Sequence, residues 1–202
     1  RLGFAIHDSG LIGEPGGDDQ DGHGTVIAHE SSWVIDNRNP DLSRDQIASR
    51  LRSAFGAERL IWSKGVQGYD ITDYHIDSLA RFTGPNHVVI NLPTSPDPYD
   101  PFHSAAQQTH ERLVSAGLSV DVIPEPSHHR KRRTRDFVAS YVNYYVCNGA
   151  VIAPRFGDAT TDRIAHQTLQ RHYPKREIVT RKADPLGEVG GGIHCATQKI
   201  PS

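Results

Sequence analysis

Methionine is missing from all 202 residues, and the chain opens on Arg1. We therefore expect an incomplete chain, with part of any active site lying upstream. Cysteine is almost as scarce. Cys147 and Cys195 alone exclude a disulfide framework and leave one or both thiols reduced and free for chemistry. Long apolar runs are lacking too, since no stretch approaches the roughly 18 residues of a membrane span. There is no charged-then-apolar leader and hence no sign of secretion, so a cytoplasmic location is expected. Charge of one sign is not in excess either. The formal net charge of -2 argues against a general nucleic-acid or anionic-membrane binder. The basic run at residues 128–133 (HHRKRR) reads as a solvated loop segment.

What is present is ordinary for a globular protein: 36% hydrophobic and 23% charged residues, enough for one real core. Three amphipathic helices stand out. The first begins near Ser43, where Ser43 and Gln46 have capping-box spacing, and Ile47, Leu51 and Phe55 recur at four-residue steps before Gly56. The second is expected near Ser104, with Gln107 three residues on, ending at Gly117. The third runs from about Thr161 to His172, ahead of Pro174. Each is followed by a short β-type run, at 60–62, 118–123 and 177–179. Further strands are expected at 87–92, 137–146 and 150–153, with loops at 13–24 and 93–101. Helix starts recur at intervals of roughly sixty residues, which suggests a repeated β/α unit within an α/β fold.

Two segments could carry chemistry. In Gly190-Gly191-Gly192-Ile193-His194-Cys195 the glycines would let a substrate approach the backbone, and His194 beside the thiol could favour thiolate. A structural cysteine after a turn is the bland alternative. In Asp73-Tyr74-His75-Ile76-Asp77, an extended backbone would put His75 and Asp77 on one face, an imidazole beside a carboxylate. Taken alone the triplet is a weak signal, which a surface ion pair explains more often than not. Zinc on His75, Asp77, His194 and Cys195 is disfavoured, because no Cys-x2-Cys or His-x3-His spacing occurs.

Taken in order, the motifs resemble the agmatine deiminase family, related to bacterial-type peptidylarginine deiminases. They are Glu14-Pro15-Gly16-Gly17, Asp21-Gly22-His23-Gly24-Thr25, Asn37-Arg38-Asn39-Pro40, residues 73–82 (DYHIDSLARF), Ser140-Tyr141-Val142-Asn143, Pro154-Arg155-Phe156-Gly157-Asp158 and residues 191–198 (GGIHCATQ). The resemblance runs from about Glu14 to Pro201. It departs from the family at Pro15 and Tyr74, which stand where the family has glycine and add bulk near the site.

The resemblance implies a pseudo-fivefold α/β propeller, of which about three repeat units lie in this chain. Residues 1–202 would then be the C-terminal portion of a single deiminase domain. It implies hydrolysis of agmatine to N-carbamoylputrescine and ammonia, a step of polyamine synthesis, through a thiouronium on Cys195. In that reading His75 serves as acid and base, Asp77 and Glu14 are the carboxylates of the site, and Gly191 and Gly192 line the substrate. The family's first guanidinium-binding aspartate lies upstream of Glu14, and Asp8 is too close to Glu14 to be it. No cofactor or metal is expected. The partner is a small guanidino molecule, with neither nucleic acid nor membrane involved, and a homo-oligomer is compatible. Peptidyl or free arginine is the alternative substrate, and an inactive truncated paralogue is the alternative of another class.

Overall fold

The computed structural model describes residues 8–126 and 136–198. It contains the same unit three times: an antiparallel pair of strands, a helix, and a third strand parallel to the second. The first unit is β1 (Asp18–Gln20), β2 (Thr25–His29), α1 (Arg44–Phe55) and β3 (Arg59–Ser63). The second is β4 (Ala80–Gly84), β5 (His87–Leu92), α2 (Pro101–Ser115) and β6 (Ser119–Pro124). The third is β7 (Tyr145–Cys147), β8 (Ala150–Arg155), α3 (Ala159–His172) and β9 (Glu177–Lys182), followed by the one-turn α4 (Asp184–Gly187). Each sheet keeps its second strand in the centre, paired antiparallel on one side and parallel on the other.

Helix α1 starts where its capping box is written: the Ser43 hydroxyl accepts from the Gln46 amide, and the Gln46 side chain accepts from the Ser43 amide. Helix α2 begins earlier than expected. Asp100, not Ser104, caps it by accepting from the Phe102 amide, and Pro101 fills the first helical position, where no amide is needed. With that correction the helices start at Arg44, Pro101 and Ala159, 57 and 58 residues apart, a more regular repeat than the sequence suggests.

Strand expectations need three changes. Residues 137–144 are not strand: Tyr141, Val142 and Tyr144 are fully buried in an irregular segment, and the Tyr141 amide donates to Asn91 Oδ1. The 13–24 segment is not all loop, since it holds the one-turn 3-10 helix Pro15–Gly17 and strand β1. Strands β2 and β4 lie where none was expected. The basic run at 128–133 falls outside the described residues.

Helix and sheet faces interleave. Ala28 and Trp62 pack on Ile47, Ala48 and Leu51 of α1. Ile27 and Ile61 instead join Ala106 and Leu113 of α2, together with Val88 and Ile90 of the second sheet. Val89 and Ile123 turn to Ala165 and Leu169 of α3, with Val151 and Ala153 of the third sheet. Neighbouring residues on a strand point to opposite faces, so α2 is held between sheets one and two, and α3 between sheets two and three. The units are thereby stacked in succession. Arg81, 2% exposed, ties all three together, donating to Asp19 Oδ1 of the first and the Tyr144 carbonyl beside the third.

Candidate active site

The candidate residues come from equivalent places in the repeat, the short segments leading into the first strand of each unit. Glu14 precedes the 3-10 turn before β1. His75 and Asp77 sit at the 3-10 turn Ile76–Ser78 before β4, and Asn143 lies just before β7. The C-terminal turns after α4 bring Cys195 to the same spot.

His75 and Asp77 do not share a face of an extended strand. Asp73 and Tyr74 adopt φ of +58° and +62°, and His75 then caps a single 3-10 turn that contains Asp77. The two side chains converge on Gly16. A Cβ there would lie 2.6 Å from His75 Nδ1 and 2.9 Å from Asp77 Oδ1, so glycine is required by close approach. Tyr74 takes the left-handed backbone normally left to glycine. Its ring packs on His29 and Phe102, with centroids 4.9 Å away in each case, so its bulk lies in the second core cluster. Pro15 is the exposed first residue of its 3-10 turn.

His75 Nε2 lies 3.2 Å from Glu14 Oε2. Glu14 is held in turn by Arg38, whose Nε donates to both carboxylate oxygens at 2.9 and 3.1 Å while Nη1 donates to Asp73 Oδ2 at 2.9 Å. Arg38 is 6% exposed. It therefore fixes Glu14 and the turn ahead of His75 at once.

Asp77 is fully buried. Its Oδ2 lies 2.8 Å from His194 Nδ1 and 3.5 Å from Cys195 Sγ, while Oδ1 has no hydrogen-bond partner among the described residues. A buried carboxylate oxygen without a donor is costly, and its presence calls for a reason. His194 thus turns to Asp77, rather than to the thiol beside it in sequence. Asn143, 1% exposed, completes the cluster. Its amide donates to Cys195 Sγ at 3.3 Å and to the Asp77 carbonyl at 3.2 Å, and its Oδ1 accepts from the His194 backbone at 2.8 Å. Gly192 is needed for this: a Cβ there would lie 2.2 Å from Asn143 Oδ1. The space beside Gly192 is therefore filled by protein, while a Cβ on Gly191 would meet Cys195 Cβ at an ordinary 3.6 Å.

Desolvation of the sulfur and the nearby Asp77 carboxylate push the Cys195 thiol up to about 11, with Asn143 opposing. Buried Asp18 is raised to about 8, by desolvation and by the charges of Asp19 and Asp77. The sequence reading missed Asn143 and Arg38 as site residues. Both stand in motifs already singled out, but nothing in an isolated Asn or Arg reveals a buried partner.

Three stacked β-β-α-β units, with two carboxylates and an imidazole on the entry segments and His194 and Cys195 brought beside them by the C-terminal turns, define an α/β protein with a polar cluster around a free thiol. The chain belongs to the Porphyromonas-type peptidyl-arginine deiminase family, whose model matches residues 2–201. It is 31% identical over 217 residues to agmatine deiminase of Medicago truncatula, covering 95% of this chain and 58% of that protein. A substrate-bound cysteine-to-serine variant of C. jejuni agmatine deiminase superposes with a TM-score of 0.80 at 28% identity, covering 91% of this chain and 54% of the other. The Enterococcus faecalis agmatine deiminase gives a TM-score of 0.80 at 29% identity, covering 91% and 55%. The chain therefore spans little more than half the length of the relatives it matches.

Proposed function

We propose that this chain is the C-terminal portion of a deiminase domain that hydrolyses the guanidino group of agmatine to N-carbamoylputrescine and ammonia. The observation that carries the reading is Asp77, fully buried, with one oxygen unpartnered and the other 3.5 Å from the Cys195 thiol. A guanidinium is planar, always charged and rich in N–H donors, so it would satisfy Oδ1 and neutralise the charge that disfavours the thiolate. Its carbon would then lie beside the sulfur.

In this reading Cys195 Sγ attacks the guanidinium carbon as its proton passes to the neutral His75 imidazole. His75, set by Glu14 and Arg38, passes a proton to the departing ammonia, which leaves a thiouronium on Cys195. A water deprotonated by the same imidazole adds to that carbon, and the C–S bond breaks to give the ureido product and the thiol. Gly191 is the glycine that leaves room for substrate beside Cys195. No metal enters the scheme.

The interleaved stacking supports three successive blades of a propeller whose entry segments face its axis, the remaining two blades belonging to the rest of the domain. Two unpaired cysteines suit a cytoplasmic enzyme. No helix among the described residues is long and apolar enough to cross a membrane.

The test is a colorimetric assay for ureido product with agmatine, free arginine and an arginine peptide in parallel, with Cys195→Ala as control. Product from agmatine, absent in the variant, is expected. Product from the peptide alone would replace agmatine with peptidyl arginine, the substrate in the family's name. Absence of product with every substrate, in this chain and in one extended upstream, would refute the reading.

A further inference from the structure

Away from Cys195, His87, Asp121 and His172 bring one ligand atom each to within 4.8 Å of one another. They come from the start of β5, the middle of β6 and the end of α3: His87 and Asp121 lie on paired strands of the second sheet, and the stacking of the third unit on the second brings His172 to them. His172 Nε2 lies 2.8 Å from Asp121 Oδ2, and the His87 and His172 rings meet edge-on with centroids 5.0 Å apart. We propose that these three side chains bind a zinc-class divalent ion that clamps the second unit to the third.

Four features argue for this site. Two imidazoles and a carboxylate are the donor set that late first-row ions select over the hard cations. The second contact of His172 is already made, for its Nδ1 lies 3.1 Å from Thr83 Oγ1. With Nε2 on a metal, Nδ1–H donates to that hydroxyl, the arrangement that fixes tautomer and ring in metal-binding histidines. The contraction required is small. Zn–N and Zn–O bonds of about 2.0–2.2 Å place ligand atoms about 3.3–3.5 Å apart, and the 4.8 Å limit is within side-chain reach of that. The site is also reachable, because the Asp121 side chain is 42% exposed. Three protein ligands leave a fourth position to water.

Cobalt(II) titrated into the full chain under reducing conditions, followed by visible absorption, tests the proposal. We expect one equivalent bound with nitrogen and oxygen ligation, displaced by zinc and retained in Cys195→Ser. Asp121→Asn, at a partly exposed position that should fold normally, and His172→Gln should each abolish it. Thr83→Val should weaken binding about tenfold, as losing an outer-shell partner typically does. Zinc should raise the unfolding midpoint of the parent chain and leave that of Asp121→Asn unmoved. No cobalt spectrum, a sulfur-to-cobalt charge-transfer band that vanishes in Cys195→Ser, or binding unchanged in both Asp121→Asn and His172→Gln would each overturn it. In the last case the trio is a hydrogen-bonded pair with a neighbouring ring.

Discussion

Gly192→Ala adds a single methyl group to the chain and should disable the site. The new Cβ would stand 2.2, 2.5 and 3.0 Å from Oδ1, Cγ and Cβ of Asn143, where ordinary contact begins at 3.4 Å. Gly192 does not have positive φ, so alanine is not opposed by the backbone and the clash is the whole perturbation. Asn143 must retreat by about 1 Å, and overpacking of that kind costs about 1–3 kcal/mol. The retreat also lengthens, without breaking, the bonds Asn143 makes to Cys195 Sγ, the Asp77 carbonyl and the His194 amide, and weakening the three adds about 1 kcal/mol together. The total is about 2–4 kcal/mol. In a chain of this size that lowers the thermal midpoint by roughly 5–15 °C, with turnover falling as Cys195 loses its orienting partner. The double variant with Asn143→Ala discriminates. Once the amide is gone the methyl has room, so the double should be close to Asn143→Ala alone and less damaged than additivity predicts by about 2 kcal/mol. Additive losses, or a Gly192→Ala protein with unchanged midpoint and turnover, would refute the packing argument.

Other outcomes follow from the same contacts. Asp77→Asn removes the charge facing Cys195, so the pH midpoint of Cys195 alkylation should move down from about 11, and an unmoved profile would show that Asp77 does not set it. Arg38→Met strips the shared cation from Glu14 and Asp73. It should cost about 3 kcal/mol by urea unfolding, mostly through the better-buried Asp73 pair, while a loss under 1 kcal/mol would make both pairs ornamental. Asp18 binds its proton more tightly folded than unfolded, so stability should fall as pH rises from about 4 to about 8. Asp18→Asn should flatten that slope in pH-dependent unfolding, and an unchanged slope would place the titration elsewhere. Cys147→Ala should leave turnover and stability nearly unaltered, since its sulfur makes one long contact to the Ala150 carbonyl, and a large loss of either would reveal an unsuspected role.

The helices were legible because their signals are local. The capping box at Ser43 and the four-residue apolar steps that follow it are decided within one or two turns. Misplacement of α2 shows the limit of that logic. Ser104 and Gln107 have the right spacing, but Asp100-Pro101 begins the helix first, so Ser104 lies inside it. Strands were harder to read. β1 is Asp-Asp-Gln, placed by its pairing to β2 and by the bonds Asp19 accepts from Arg81 and the Phe82 amide, and β2 is buried along its whole length, so neither alternates in polarity. The apolar run at 137–144 erred in the other direction. Its hydrophobicity reflects burial between the second and third units and not a ladder.

At the site, residue types were legible and their contacts were not. Cys195, His75, Asp77 and Glu14 stand out by motif, yet the pairing expected of His75 with Asp77 is replaced by His75 with Glu14 and His194 with Asp77. The reason lies in the fold. A ladder of extended residues would have paired neighbours two apart, whereas the site is assembled from the entry segments of successive units, where a 3-10 turn separates side chains close in sequence. Contacts are therefore made between segments: Glu14 to His75 across the first and second units, Asp77 to Asn143 across the second and third, and Cys195 to both Asp77 and Asn143 from the C-terminal turns. Stacking of the units thus determines the site's geometry as directly as the motifs determine its chemistry. A substitution at a unit boundary, such as Arg81→Met, should then disturb turnover, although Arg81 reaches the site only through the field it sets at Asp77 and makes its hydrogen bonds to Asp19 and the Tyr144 carbonyl. If it lowered stability alone and left turnover per folded molecule unchanged, the coupling between stacking and site would be refuted.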